Sequence, residues 1–303
     1  MKRTDFIKLL TATSFGMATY KLNALGTILN KLPASKKLPV LFTSHGNPMD
    51  IPLPHYANPF NSYLGSLGKH IRKEYEVKAI LVISAHWCTK GTFVNVSPFP
   101  ETIYDYYGFP NNYYSLKYPA PGAPEMATEV ASAIPQIKTT TDWGFDHGNW
   151  PMLRHLYPDA DVPVFQLSID YYKPAQYHFD LAIQLKKFRE KGVLIIGSGA
   201  VVHNLKLASS KMFSGDTKIY GWDKEFDQWV KEKVDNHDVK SLIEYDKTTL
   251  GNLAAPTPDH YIPLIYSMAL IDKYDSIRHT YVALLPAFSD RSFIIEQNDW
   301  LKF

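Results

Sequence analysis

A chain of 303 residues with 45% hydrophobic and 20% charged residues carries enough apolar material for a sizeable core, in one large domain or two small ones. A formal charge of +2 without a long Lys/Arg block excludes a dedicated nucleic-acid binder. The single cysteine, Cys88, excludes an intramolecular disulfide and a cysteine-rich zinc site, so any metal must rest on histidine and carboxylate ligands.

Residues 1–37 read as a leader followed by a linker. Lys2, Arg3 and Lys8 form a basic start, and the stretch from Leu9 to Tyr20 is mildly apolar but too short and polar to span a bilayer. The segment has the shape of a degenerate twin-arginine-like export signal, which would send the protein to the periplasm. The alternative is an amphipathic N-terminal helix or frayed tail on a cytoplasmic protein. From residue 38 to 303 the pattern is that of one catalytic domain. Pro39–Thr43 is a compact β-type run ending in Ser44-His45-Gly46. Asn61–Tyr75 has helical spacing, and Ala79–Ser84 is a continuous apolar run, as in a strand buried on both faces. Val162–Ile169 and Gly192–Ile196 repeat that strand pattern around an amphipathic helix over Ala175–Lys191. Trp222–Val234 and His260–Tyr274 read as helices and Thr280–Leu285 as a late strand. Buried strands alternating with helices predict an α/β fold: a single domain with a mostly parallel central sheet flanked by helices. No glycine-rich phosphate-binding string follows any strand, which removes local support for nucleotide binding.

Chemistry concentrates in the histidines. Of eleven, His55, His70, His155, His178, His237 and His279 lie in helices or polar connections and read as surface or hydrogen-bonded residues. The other five share a setting at strand ends or in Gly/Pro-rich turns: His45, His86, His147, His203 and His260. Ligands of open α/β sheets gather beyond the carboxyl ends of the strands, so histidines distant in sequence would meet there in a metal site. Neutral imidazole suits Fe(II), Zn(II), copper and nickel. Asp146 and Asp259 each precede one of these histidines and are candidate acceptors for the ring nitrogen that does not face a metal. Cys88, two residues from His86, is the rival nucleophile but reads as an inert strand-end residue. The aromatic run Tyr104, Tyr106, Tyr107, Phe109, Tyr113 and Tyr114 is either core and surface packing or one wall of a pocket for a flat ligand.

Seven strings occur in order: His45-Gly46-Asn47-Pro48-Met49, Ser84-Ala85-His86-Trp87, Tyr118-Pro119-Ala120-Pro121-Gly122, Trp143-Gly144-Phe145-Asp146-His147-Gly148, Gln166-Leu167-Ser168-Ile169-Asp170, Gly197-Ser198-Gly199 with Val202-His203-Asn204-Leu205, and Pro256-Thr257-Pro258-Asp259-His260-Tyr261. Together they resemble the DODA-type branch of the class III extradiol ring-cleaving dioxygenases. The resemblance implies one divalent metal per chain, Fe(II) for dioxygenase activity or Zn(II), and cleavage of a small catechol such as an L-DOPA-like compound with O2. It implies that His45 and His86 are metal ligands and that His260 stands where better-studied members carry a glutamate ligand. It places His203 as catalytic base, or as fourth ligand in a zinc site, and His147 beside the substrate, with Tyr104, Tyr106 and Tyr107 flanking the ring. The competing expectation is a zinc-dependent enzyme or zinc-binding protein on the same scaffold with non-oxidative chemistry.

Overall fold

In the computed structural model, residues 36–51 and 58–297 are described, and the proposed leader lies outside them apart from its last residues, Lys36 and Lys37. The chain forms strands β1 (Val40–Thr43), β2 (Ala79–Thr89), β3 (Thr92–Asn95), β4 (Ile137–Thr140), β5 (Val164–Asp170), β6 (Val193–Ser198), β7 (Asp275–Tyr281), β8 (Leu284–Leu285), β9 (Phe288–Ser289) and β10 (Ser292–Gln297). Eight of them make one sheet in the order β4-β3-β5-β2-β6-β1-β10-β7. Its centre, β5-β2-β6-β1, is parallel; β10 and β7 add antiparallel at one edge, and β3 joins β5 antiparallel at the other.

The central strands are buried except at the end of β2, where Cys88 is exposed, and their alternate residues feed two separate cores, as strands covered on both faces require. Phe42, Leu81, Ile83, Leu167 and Ile195 pack under helices Pro124–Ala133, Ala175–Ile183, Trp222–Asp235 and Ile262–Ala269. Leu41, Ile80, Val82, Val164 and Ile196 pack under helices Pro59–Glu74 and Trp150–Leu156. The α/β architecture with a mostly parallel sheet is therefore as the apolar runs indicate.

Several boundaries differ from the sequence pattern, each for a local reason. The run Ala175–Lys191 breaks into helices Ala175–Ile183 and Lys186–Glu190, because Gln184, Leu185 and Phe188 bond back three residues rather than four and tighten the chain. The last helix spans only Ile262–Ala269, with Pro263 in its first turn, so His260 precedes the helix rather than opening it. The late strand begins earlier, at Asp275, and ends at Tyr281. Strand β2 runs past Ser84 to Thr89 through a register irregularity against β5 between Ile83 and Cys88. Bulged strands bend and re-aim side chains, and His86 lies inside this bulge rather than beyond the strand. Among the described residues no helix is long and apolar enough to cross a membrane.

Candidate metal centre

Register places three strand ends side by side. Thr43 of β1 and Ser84 of β2 both pair with Ser198 at the end of β6, which lies between them. His45 and His86 each stand two residues further on and turn toward one another over Ser198, their Nε2 atoms 3.2 Å apart. Gly46, at φ 78°, provides the left-handed backbone that turns the chain away directly after His45. His260 comes from the opposite side. A side chain at Gly199 would collide with the His260 backbone, so only glycine lets this segment close over β6, where the Ala200 amide donates to the His260 carbonyl at 2.9 Å. His45, His86 and His260 each offer a ligand nitrogen, and these atoms lie within 4.8 Å of one another.

The second ring nitrogens face oxygen atoms. His45 Nδ1 lies 3.2 Å from Ser198 Oγ, His86 Nδ1 lies 3.3 Å from Asp105 Oδ2, and His260 Nδ1 pairs with Asp259. Such partners orient an imidazole and direct its other lone pair toward a cation. Burial, then the neighbouring histidines, hold His45 and His86 well below the usual imidazole range, so both rings are neutral donors. Burial opposes ionisation of Asp259, but the bond to His260 outweighs it and holds the carboxyl at about 2. The donor set, three convergent imidazoles, fits a divalent transition metal.

His203 belongs to the same cleft but not to that set. Its ring lies flat on His260, centroids 3.5 Å apart and 6° from parallel, and its edge neighbour is Phe288. The backbone pins it there: its amide donates to the Ala254 carbonyl at 2.8 Å, and Asn204 caps the next helix through the Leu207 amide. Burial first, then His260, push His203 down to about 3, so it too is neutral.

His147 stands on the far side of His86, ring centroids 3.6 Å apart. Its loop presses so closely that a side chain at Gly148 would strike Ser84 and His86. Asp146 does not serve His147, contrary to the sequence expectation. Fully buried, it accepts from Ser84 Oγ (2.6 Å), Trp143 Nε1 (2.9 Å), Gln166 Nε2 (2.8 Å) and the Gly148 amide (3.0 Å), and so anchors the loop instead. Burial, then the charge of Asp105, push its carboxyl up. Asp259, by contrast, does serve its neighbour His260. The residue that sequence reasoning passed over is Asp105, which lies among the flagged tyrosines and faces both His86 and His147.

The aromatic segment divides. Tyr106 is buried with its ring 5.7 Å from that of His147, edge to face, and it stacks on Tyr114. Tyr104 packs on Tyr106 and Trp150 and donates its hydroxyl to the Leu116 carbonyl. Tyr107 is 88% exposed, just before the chain turns at Gly108 (φ 81°), which sets it apart from this wall. Burial around the sulfur, then Asp259 and Asp146, push Cys88 up to about 12, so it is no thiolate nucleophile. His178 and His155 are buried, and His178 is one of the hydrogen-bonded kind, bonding Tyr266 and the Asp170 carbonyl away from the cleft.

Comparison with known proteins fits this geometry. Residues 39–289 match the family described as the catalytic LigB subunit of aromatic ring-opening dioxygenase. This chain belongs to that family. It is 38% identical over 253 residues to 4,5-DOPA dioxygenase extradiol of Escherichia coli (strain K12), covering 80% of this chain and 89% of that one. It is 36% identical to the beet (Beta vulgaris) 4,5-DOPA dioxygenase extradiol, over 75% of this chain and 84% of the relative. A crystal structure of an uncharacterized protein from E. coli K12 superposes with a TM-score of 0.71 at 33% identity, covering 85% of this chain and 99% of that chain. The LigB-family chain is thus an enzyme, an oxygenase of the extradiol type.

Proposed function

We propose that the protein is a metal-dependent dioxygenase that opens the ring of a small catechol, L-DOPA or a similar compound, with O2, cutting next to rather than between the two hydroxyls. The single observation that carries this reading is the convergence of His45, His86 and His260 at the carboxyl edge of the parallel strands, with His203 and His147 on either side of them. Names of relatives agree, since the E. coli and beet proteins are both called 4,5-DOPA dioxygenase extradiol.

In this reading His45, His86 and His260 hold the ion. Held there, a divalent metal would supply Lewis-acid chemistry and, as Fe(II), redox chemistry for the reaction of a catechol with O2. His203, neutral and half-buried, has a lone pair ready to take the proton of one catechol hydroxyl. The base role rests on this lone pair, since a ligand atom of His203 also lies within 4.8 Å of those of Asp259 and His260. His147 would donate a hydrogen bond to the substrate, held in place by Asp105. Tyr106, with Tyr104 behind it, would flank the ring and exclude water from that side.

A second reading is favoured by one observation, the all-nitrogen donor set, which suits Zn(II) and non-oxidative chemistry on the same scaffold. Anaerobic loading with Fe(II), followed by L-DOPA, caffeate or protocatechuate in air, separates the two. Oxygen uptake with a yellow ring-fission product is expected, and zinc-only activity without oxygen consumption would overturn the dioxygenase assignment. His45→Ala and His86→Ala should lose the metal, whereas His203→Ala should keep it and lose turnover.

A further inference from the structure

One carboxylate touches both halves of this site. Asp105 Oδ1 accepts the backbone amide of His147 at 2.8 Å. Its Oδ2 lies 2.8 Å from His147 Nδ1 and 3.3 Å from His86 Nδ1. Both ring contacts are close approaches short of full hydrogen-bond geometry, as expected of an oxygen shared between two rings. The segment that carries Asp105 is itself stitched to the His147 loop: the Ile103 amide donates to Phe145, and the Phe145 amide donates to Glu101, both at 2.7 Å. The same segment presents Tyr104 and Tyr106, the latter against His147.

We infer that Asp105 is a positioning residue that sets the tautomer and ring orientation of His86 toward the metal and the placement of His147 toward the substrate. Oδ2 favours the Nδ1–H form of His86, which leaves Nε2 with its lone pair aimed at His45 and the cluster. The other oxygen fixes the backbone from which His147 projects. Placement of the metal, the substrate-facing histidine and the aromatic wall is therefore tied to one side chain. The ligand role of His86 rests on the function proposed above, but the effect on metal affinity does not require that the enzyme cleave catechols.

The test uses the full-length protein with Asp105→Asn, which keeps the size but not the chemistry. An amide turned with its NH2 toward the rings donates where the carboxylate accepted, and favours the Nε2–H form of His86. Turned the other way, it sets its NH2 against the His147 amide. Either orientation leaves a mismatch. Zinc affinity measured by chelator competition should fall about 10- to 100-fold. Histidine-ring 1H–15N spectra of the zinc-loaded wild type should show His86 bound through Nε2 with Nδ1 protonated. Asp105→Glu, which retains the carboxylate, should recover part of the affinity, and it keeps the test open if the Asn variant folds poorly. Urea denaturation of the metal-free forms separates a local effect from a general loss of stability. Wild-type zinc affinity in Asp105→Asn, or a zinc-loaded His86 with Nδ1 deprotonated, would overturn the assignment. An iron-loaded wild type that consumes no oxygen would sink the catechol reading while leaving these two measurements to decide the role of Asp105.

Discussion

Gly199→Ala tests whether close packing over β6 places the third histidine. A methyl group at residue 199 would stand 3.1 Å from Pro263 Cγ and 3.2 Å from the His260 carbonyl carbon, and nearer still to that carbonyl oxygen. Comfortable carbon contacts begin near 3.5 Å, so the His260 segment must retreat by roughly 1 Å. The Ala200–His260 backbone bond, 2.9 Å in the wild type, would stretch with it. Overpacking of this kind costs about 1–3 kcal/mol of stability. The functional loss should be larger in proportion, because about 1 Å of misplacement in a reacting site can cost about 100-fold in rate. Gly68→Ala is the matched control, since its methyl would strike the Leu156 backbone between two helices of the other face. Both variants should lose similar stability in urea denaturation, but only Gly199→Ala should weaken zinc binding in chelator competition and slow oxygen uptake. Wild-type metal affinity in a destabilised Gly199→Ala protein would refute the idea that Gly199 places His260.

Three further outcomes follow from the geometry. Burial raises Asp290 to about 6 against an ordinary 3.8, with Ser44 opposing the shift and Asp50 adding to it. Because its folded pKa is raised, the native state holds a proton that the unfolded chain has lost, so stability contributed below pH ~4 declines through pH ~6. The difference, about 2 units at about 1.4 kcal/mol each, is on the order of 3 kcal/mol. Asp290→Asn should therefore remove that slope and exceed the wild type above pH ~6 in urea denaturation; parallel pH profiles of the two proteins would show the reasoning wrong. Asp227 takes a two-pronged ion pair from buried Arg291 (2.9 and 2.5 Å), and Asp227→Ala, which strands that guanidinium, should cost about 3–5 kcal/mol without altering metal affinity. Tyr106→Ala should raise the catechol KM by about 2- to 10-fold, the worth of one aromatic contact, whereas exposed Tyr107→Ala should leave it unchanged in steady-state assays.

The histidines of the cleft were legible in the sequence because their neighbours are unusual. Gly46, Gly148 and Gly199 mark places where the backbone turns or closes on another segment, and each stands next to or near a site histidine. The central strands were equally legible, since burial on both faces leaves an unbroken apolar run. Strands β3, β4 and β10 escaped because they are short or carry mixed patterns, with exposed Lys138 and Thr139 in β4, for instance. Continuation of β2 beyond Ser84 escaped because polar and aromatic residues of the bulge interrupt the apolar pattern. Asp105 left no local signal at all. It reaches His147, 42 residues away in the chain, through a loop whose path is set by bridges to residue 145 rather than by its own propensity. That His178 is the hydrogen-bonded rather than the surface case is likewise set at a distance, by Tyr266, 88 residues on.

Charge bears on how a site built of three imidazoles would hold a divalent ion. A divalent ion held by His45, His86 and His260 alone would have no carboxylate among its ligands. One layer out, Asp105 faces His86 and Asp259 pairs with His260. Asp259 is ionised even at low pH, and Ser198 completes the set behind His45 without adding charge. Negative charge would thus sit at the far nitrogens of the ligands, where it would strengthen them as donors and offset the ion across a short distance. The arrangement places Asp105 and Asp259 behind their histidines. It also separates tasks among the acidic residues: Asp105 and Asp259 act through histidines, while Asp146, bonded at both oxygens to Ser84, Trp143, Gln166 and Gly148, holds the loop that brings His147 into place.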